Sequence, residues 1–547
     1  MRNVVTVILL LALAGFAEAA EIPLKILAIN DLHGSLDAGR TVGGRPVGSA
    51  EVLAAYLRQA ERGMEDHTLI VHDGDVVGAS PPVSALMQDE PTVMFLNLLA
   101  NRFCTAALRL HPRCNLVGTI GNHEFDKGLS ELKRLISGGN SEDGPYLESP
   151  WRGSRFPWVS ANIVRSASGL PVFVPFIVKE VAGVRLGVIG AILREAPEII
   201  SAKNIEGLRF DDEVLAINRQ IPQLKTLGVR AIAVLLHQGG RQSAYEGPTR
   251  KDVMPEGEVA DIIGRLDDEV DVVFTGHSHS FTNAFIANER GKGILAVQAY
   301  AYGTAFADVD LVVDSKTGDV VHKSAEIVTT FADSIAPDEK TRAFMEEVEA
   351  KVGPKINEVI GTAAAPVTNE RIPSGESALG NLIADAQRVA MQADFGFMNN
   401  GGIRADIDAG EVTYGDLFTV QPFGNVVAKL TLTGAQIRRL LEQQWQGQPY
   451  PRQGHVSGLK YTWDPKAAEG SRIVSVSKAD GTPLDPGAAY TLAASTFLAD
   501  GGDNMTVLRE AQSREVGPAD LDALIAYIRS LQQPFSYAVE GRISLLP

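Results

Sequence analysis

Cysteine is nearly absent from this chain: Cys104 and Cys114 are the only two among 547 residues. That excludes a disulfide-knit scaffold and any metal site built on several thiolates. Long apolar runs are missing too. The one extended stretch, Val4–Phe16, is too short for a bilayer span of about 20 residues, and nothing later approaches that length. Aromatic residues make up only 6%, and 50 Lys and Arg face 67 Asp and Glu, for a formal charge of −17. A surface of that sign repels nucleic-acid polymers and anionic membranes, so neither is expected as a partner. A small anionic substrate is still admissible, because bound metal ions reverse the sign locally.

The amino terminus has the form of a processing signal. Arg2 is the positive start, Val4–Phe16 the apolar segment and Ala17-Glu18-Ala19 a small-residue cleavage site, so residues 1–20 read as a signal peptide. The expected location is periplasmic or secreted, and no cysteine beside the cleavage site offers a lipid anchor. In an oxidising compartment an even cysteine count favours pairing Cys104 with Cys114; the alternative is two thiols beneath a surface helix.

The length exceeds what one core accommodates, so more than one domain is expected. Residues 21–335 alternate β-branched runs with helical patterns such as Ser49–Arg62 and Glu213–Leu227, the rhythm of an α/β sandwich. Gly139–Gly153 is rich in turn formers and is expected to be an exposed loop. Pro337–Val359 is charged and helical in pattern, interrupted at Gly353-Pro354, and reads as a linker helix over 336–359. A second, smaller α+β domain then occupies 360–547, with helices expected at Leu379–Gln392 and Gly434–Gln446.

Candidate metal ligands recur along the first half, nearly all just after apolar runs. They are Asp31 and His33 in NDLHG, Asp75 in DGDVVGAS, Asn122 in GNHEFD, His237 in LLHQGG, and His277 and His279 in TGHSH. The runs before them, Lys25–Ile29, Thr68–Val71, Asn115–Ile120, Ala231–Leu236 and Val270–Phe274, read as buried strands. Ligands gather at the carboxyl ends of such strands, which brings separate segments to one place. Imidazole, carboxylate and amide oxygen suit a pair of first-row divalent ions, zinc, manganese, iron or cobalt, without selecting among them. Asp75, with Gly74 before it, is better placed than Asp73 to bridge two ions. The other histidines, His67, His72, His111, His322 and His455, lack this context; His72 is expected to hydrogen-bond locally.

These motifs, together with ALGNLIAD, NNGGIRAD, QPFGN and FLADGGDN in the second half, resemble the bacterial 5′-nucleotidase/UDP-sugar hydrolase family, whose first domain is a calcineurin-like metallophosphoesterase. The resemblance covers nearly the whole chain after the leader. It implies a four-layer α/β/β/α sandwich followed by a substrate-binding domain. Asp31, His33, Asp75, Asn122, His237 and His277 match the family's metal ligands, and His279 falls where the family varies among Gln, Asn and His. It also implies a dyad in which Asp126 orients His123 toward the scissile phosphate. Two metals lower the pKa of bound water, so a carboxylate-held imidazole is left to stabilise charge or protonate a leaving group.

In the second half, Phe423 and Phe497 sit in Gly/Pro-bounded loops, and two loop rings can sandwich a flat base. The resemblance makes them a nucleobase clamp, with Asp503 accepting from ribose hydroxyls and Asn399 meeting the base edge. Arg404 in GGIR is an anion fork. The family's further arginine before the segment matching ESALGN is displaced here, with Arg371 the only arginine in RIPSGES, and Asn400 replaces a glycine. The implied function is an exported, metal-dependent hydrolase of small nucleotides, releasing phosphate from nucleoside 5′-monophosphates, with UDP-sugars and 2′,3′-cyclic nucleotides as further substrates. Two other readings stand beside it: a thiosulfate-carrier hydrolase of a related branch, and a nucleotide-binding protein without turnover. Protein partners are not specified by the sequence.

Overall fold

The computed structural model describes residues 20–142, 144–251 and 253–546. The expected leader therefore lies, except for Ala20, outside the described residues. Two six-stranded sheets form the centre of the first half. One runs Val320–Thr329, Ala305–Asp314, Glu21–Ile29, Thr68–His72, Leu116–Thr119, Trp158–Val159. The other runs Phe281–Ala287, Gly293–Ala299, Val272–Thr275, Ala231–His237, Val184–Ile192, Phe176–Val181.

The two-residue period of a strand explains the layering. On the first strand Leu24, Ile26 and Ala28 point into the core shared with Val188, Ala233, Leu235 and Phe274 of the other sheet. Leu27 and Ile29 point the opposite way, onto Leu53 and Leu57 of the helix Ala50–Glu61. Val234 and Leu236 face outward onto Ile217, Leu224 and Ile263. The result is the expected α/β/β/α sandwich. Its register also sets the site: Ile29 lies beside His72, and Leu236 beside Thr275, in parallel pairs, so the loops bearing the candidate ligands leave the same ends of both sheets.

Three local expectations need correction. Glu213–Leu227 is two helices, Glu213–Asn218 and Ile221–Thr226, because Pro222 has no N–H to continue the ladder. Conversely, the helix Glu339–Ile356 is not interrupted at Gly353-Pro354. The missing Cβ of Gly353 eases the proline's demand on its predecessor. That helix packs Met345, Val348 and Val352 into the same core as Leu53, and Lys351 Nζ donates to the Leu147 carbonyl at 3.1 Å. The Gly139–Gly153 loop is not wholly exposed either, since Trp151 is 1% accessible and its indole donates to the Leu135 carbonyl. Cys104 and Cys114 form a disulfide.

The second half is built on a five-stranded sheet in the order Gly454–Ser457, Phe395–Asn399, Ala489–Ser495, Val426–Thr433, Arg514–Ala519. Helices Ala378–Met391 and Asp520–Ser530 cover one face and Gly434–Glu442 the other. Capping boxes start Gly434–Glu442 and the short helix Tyr414–Val420. Among the described residues no helix is long and apolar enough to cross a membrane.

Candidate metal centre and nucleotide cleft

The loops after the strands bring the candidate ligands together. Groups whose ligand atoms lie within 4.8 Å of one another are Asp31, His33 and His279, then Asp75, His237 and His277, with His33, Asp75 and His123 overlapping both. Asp31, His33, Asp75, Asn122 and His237 are buried, and His279 is partly open. Asp31, His33, Asp75, His277 and His279 all hold the left-handed backbone region, at φ 49°, 48°, 48°, 69° and 52°. Such residues cost about 1–3 kcal/mol each and persist where surrounding structure dictates them. Gly121 is needed for close approach: a Cβ there would lie 2.2 Å from Asp75 Oδ1.

Hydrogen bonds fix which ring nitrogens face the centre. His237 Nδ1 donates to the Asp73 carbonyl at 2.7 Å, which leaves a lone pair on Nε2. That atom lies 3.1 Å from Asp75 Oδ2 and 3.2 Å from Asn122 Oδ1. Three lone-pair-bearing atoms converge there, an arrangement that only a proton or a cation between them makes favourable. Burial pushes the Asp31 carboxyl up to about 7 despite the nearby His237 charge. Burial also opposes a charged His237, but Asp75 and Asp31 outweigh it and raise the imidazole to about 10. His277 and His279 are held down at about 3 by burial. A donor set with this excess of acceptors fits divalent cations.

Beside it, His123 Nδ1 pairs with Asp126 Oδ2 at 2.9 Å, leaving Nε2 unengaged by that contact. His123, Asn122 and His277 form one wall of a cavity of about 420 Å³ between the halves of the chain. The opposite wall includes Asn399, Arg404, Phe423, Phe497 and Asp503, so those five residues open onto one space. Arg404 makes no side-chain hydrogen bond among the described residues, and its charge helps depress His33 and His279. Arg371 is exposed and does not line this cavity.

Residues 24–281 match the calcineurin-like phosphoesterase family, and residues 359–510 the 5′-nucleotidase, C-terminal domain. The cell wall protein Lmo0130 of Listeria monocytogenes is 35% identical, over 94% of this chain and 68% of its own length. The chain belongs to the 5′-nucleotidase family of metal-dependent phosphoester hydrolases. Endonuclease YhcR of Bacillus subtilis is 37% identical over 97% of this chain, which spans only 41% of that longer protein. The crystal structure of a 5′-nucleotidase precursor from Thermus thermophilus superposes with a TM-score of 0.78 at 28% identity, covering 96% of this chain and 99% of that one.

Several residues around the candidate site in this 5′-nucleotidase family member lie outside the set expected from the sequence. Glu124 is buried, and its carboxylate accepts the backbone N–H groups of Asp75 and Val76, both at 2.9 Å, and of Gly121 at 2.5 Å. It thus ties the Asp75 loop to the Asn122 loop; its place inside GNHEFD was the available clue. Asn30 donates to Asp31 Oδ2 at 2.7 Å, and the Tyr302 ring lies beside both His33 and His279. Tyr450 lines the cavity, and Arg452 pairs with Asp503. His72, by contrast, does not hydrogen-bond locally as expected: among the described residues neither ring nitrogen has a hydrogen-bond partner, and the ring packs edge-on against Phe156 and Trp158. Burial lowers it to about 3, so it fills the core as a neutral ring.

Proposed function

We propose that this protein is an exported nucleotide hydrolase that releases phosphate from nucleoside 5′-monophosphates. The observation that carries the reading is the single cavity with His123, Asn122 and His277 on one wall and Phe423, Phe497 and Asp503 on the other. A nucleotide has the same division, an anionic reacting end joined through ribose to a flat base.

Asp31, His33 and His279 would hold one divalent ion, and Asn122, His237 and His277 a second, with Asp75 shared. Bound there, the ions supply Lewis acidity and lower the pKa of a water nucleophile. Asp73, through its carbonyl, keeps the His237 proton on Nδ1, and Glu124 holds Asp75 in place. Asp126 holds His123 so that Nε2 can donate to a phosphoryl oxygen or to the departing ribose oxygen. Arg404, with no competing acceptor among the described residues, reads the phosphate as a fork. Phe423 and Phe497 stack on the base, and Asn399 and Asp503 meet the nucleoside's polar edges.

UDP-sugars and 2′,3′-cyclic nucleotides belong to the same reading, because the reacting group in each is a phosphorus bonded to a nucleoside. Export is supported by the leader pattern and by the Cys104–Cys114 disulfide, which suits an oxidising compartment. The test is a product screen with zinc, manganese, iron and cobalt, following free phosphate from nucleoside 5′-monophosphates and the nucleoside monophosphate formed from UDP-sugars and cyclic nucleotides. Release from nucleoside 5′-monophosphates is expected. Metal uptake without release from any nucleotide would sink the reading.

A further inference from the structure

One of the two side chains that hold the Asp503 carboxylate lies outside every motif of the family resemblance. Arg452 follows Tyr450-Pro451 in the loop after the helix Gly434–Glu442, and its side chain is 9% accessible. Its Nη1 donates to Asp503 Oδ1 at 2.9 Å, while Asn399 Nδ2 donates to Oδ2 at 2.7 Å. An ionised carboxylate has about two acceptor sites on each oxygen. Each oxygen therefore keeps one site, the arrangement that two adjacent hydroxyls require.

The same loop also secures the turn Gly502–Asn504, in which Asp503 is left-handed at φ 53°. Gln448 Nε2 donates to the Asp503 carbonyl at 2.7 Å, and Asn504 Nδ2 donates to the Gly447 carbonyl at 2.9 Å. Burial pushes the Asp503 carboxyl up, and Arg452 is the first charge that draws it back. Without that cation the buried group would tend to hold a proton, and one acceptor oxygen would become a donor.

We propose that Arg452 is a positioning residue that orients the Asp503 carboxylate as a two-point acceptor for the vicinal hydroxyls of ribose, and so sets discrimination between ribonucleotides and deoxynucleotides. This rests on the reading that Asp503 faces the ribose. A solely structural staple between loop and turn would affect all nucleotides alike; a positioning role affects those with hydroxyls.

The test compares kcat/KM for AMP and for 2′,3′-dideoxy-AMP in the metal-loaded enzyme and its Arg452→Met, Arg452→Lys and Asp503→Asn variants. Thermal melting of each variant establishes that it is folded. The AMP preference should fall about tenfold or more in Arg452→Met, the worth of a hydrogen bond to a charged group, and mainly through KM. Arg452→Lys should recover part of it, and Asp503→Asn should lose it. If Asp503→Asn lowers the preference and Arg452→Met does not, Arg452 has no positioning role. An unaltered preference in Asp503→Asn overturns the ribose reading itself, and the proposal with it. Should Arg452→Met unfold, Arg452→Gln decides, since it fills similar space without the charge: an AMP preference equal to that of the wild type contradicts the proposal, and a reduced preference supports it.

Discussion

The imidazole of His123 lies stacked on the ring of Phe423, centroids 5.7 Å apart and planes 21° from parallel. One belongs to the half with the candidate metal ligands and the other to the C-terminal half. The proposed proton donor and one side of the proposed base clamp are therefore in contact across the cleft. Arg404 approaches the same Phe423 ring, its guanidinium carbon 5.9 Å from the centroid. The three groups are in contact from one half to the other, so the proposed chemical step would depend on the way the two halves meet.

Among the described residues Phe497 makes no such ring contact with the other half, and it should act on binding alone. Replacing it by alanine is expected to raise KM for AMP about tenfold, from lost stacking and burial. Hydrolysis of a small aryl phosphate, which has no base, should suffer far less. Steady-state kinetics with both substrates checks this, and equal losses would mean that Phe497 supports the fold instead.

The centre and the dyad should separate on metal content. Asp75→Asn removes the shared carboxylate and is expected to abolish turnover and deplete bound metal. Glu124→Gln keeps every ligand but weakens the tie between the two loops, so metal affinity should fall about 10–100-fold. His123→Ala should leave metal content intact while lowering kcat by about 10²–10⁴-fold. Elemental analysis beside the kinetics distinguishes them; metal loss in His123→Ala would make that residue a ligand.

Much of this was legible in the sequence because strand, turn and ligand fall in one short stretch. NDLHG and TGHSH place their polar residues at strand ends, and the five expected strands are present with small shifts in their limits, such as Leu116–Thr119 for Asn115–Ile120. The residues that escaped notice act through partners distant in the chain. Arg452 meets Asp503 across 51 positions, and Glu124 reaches Asp75 across 49. Nothing in local spacing reports such pairs. His72 escaped for another reason. It is one residue from an aspartate, which suggested a polar setting, yet a strand turns alternate side chains to opposite faces, and its face is aromatic.

Away from the cleft, Lys179 gives a prediction about stability and pH. It is fully buried, its ammonium has one carbonyl partner, that of His111 at 3.3 Å, and burial lowers its pKa from 10.5 to about 7. Between about pH 7 and 10.5 the unfolded chain holds a proton at this lysine that the folded chain does not, so stability rises with pH across that window. Below it the folded protein carries the charge buried, at full cost. Lys179→Met should therefore stabilise by about 1–3 kcal/mol at pH 6, a rise of a few degrees in Tm. The gain should shrink steadily toward pH 10. Melting curves of both proteins at several pH values test this, and a gain independent of pH would mean that packing, not charge, is the cause.

The last prediction concerns movement. The turn Ala196–Glu198 of the metal-bearing half touches the turn Gly502–Asn504 of the other half, so the cleft is bridged beside Asp503. His123 against Phe423 makes a second contact between the halves, beside the cavity. Catalysis should then require closure over the substrate, and product release should require the halves to part. The helix Glu339–Ile356 packs on the core of the first half, so any pivot is expected after it, near Asn357 and Glu358. A cysteine in each of these turns, at a pair of positions within disulfide reach and away from Asp503 and Asn504, oxidised to lock the turns together, should permit at most one turnover of pre-bound nucleotide, and a reductant should restore multiple turnover. Rapid-quench measurement of phosphate release separates a single burst from steady cycling. If the locked enzyme cycles at the unlocked rate, the cleft admits and releases nucleotide as a rigid body, and parting of the halves is not needed.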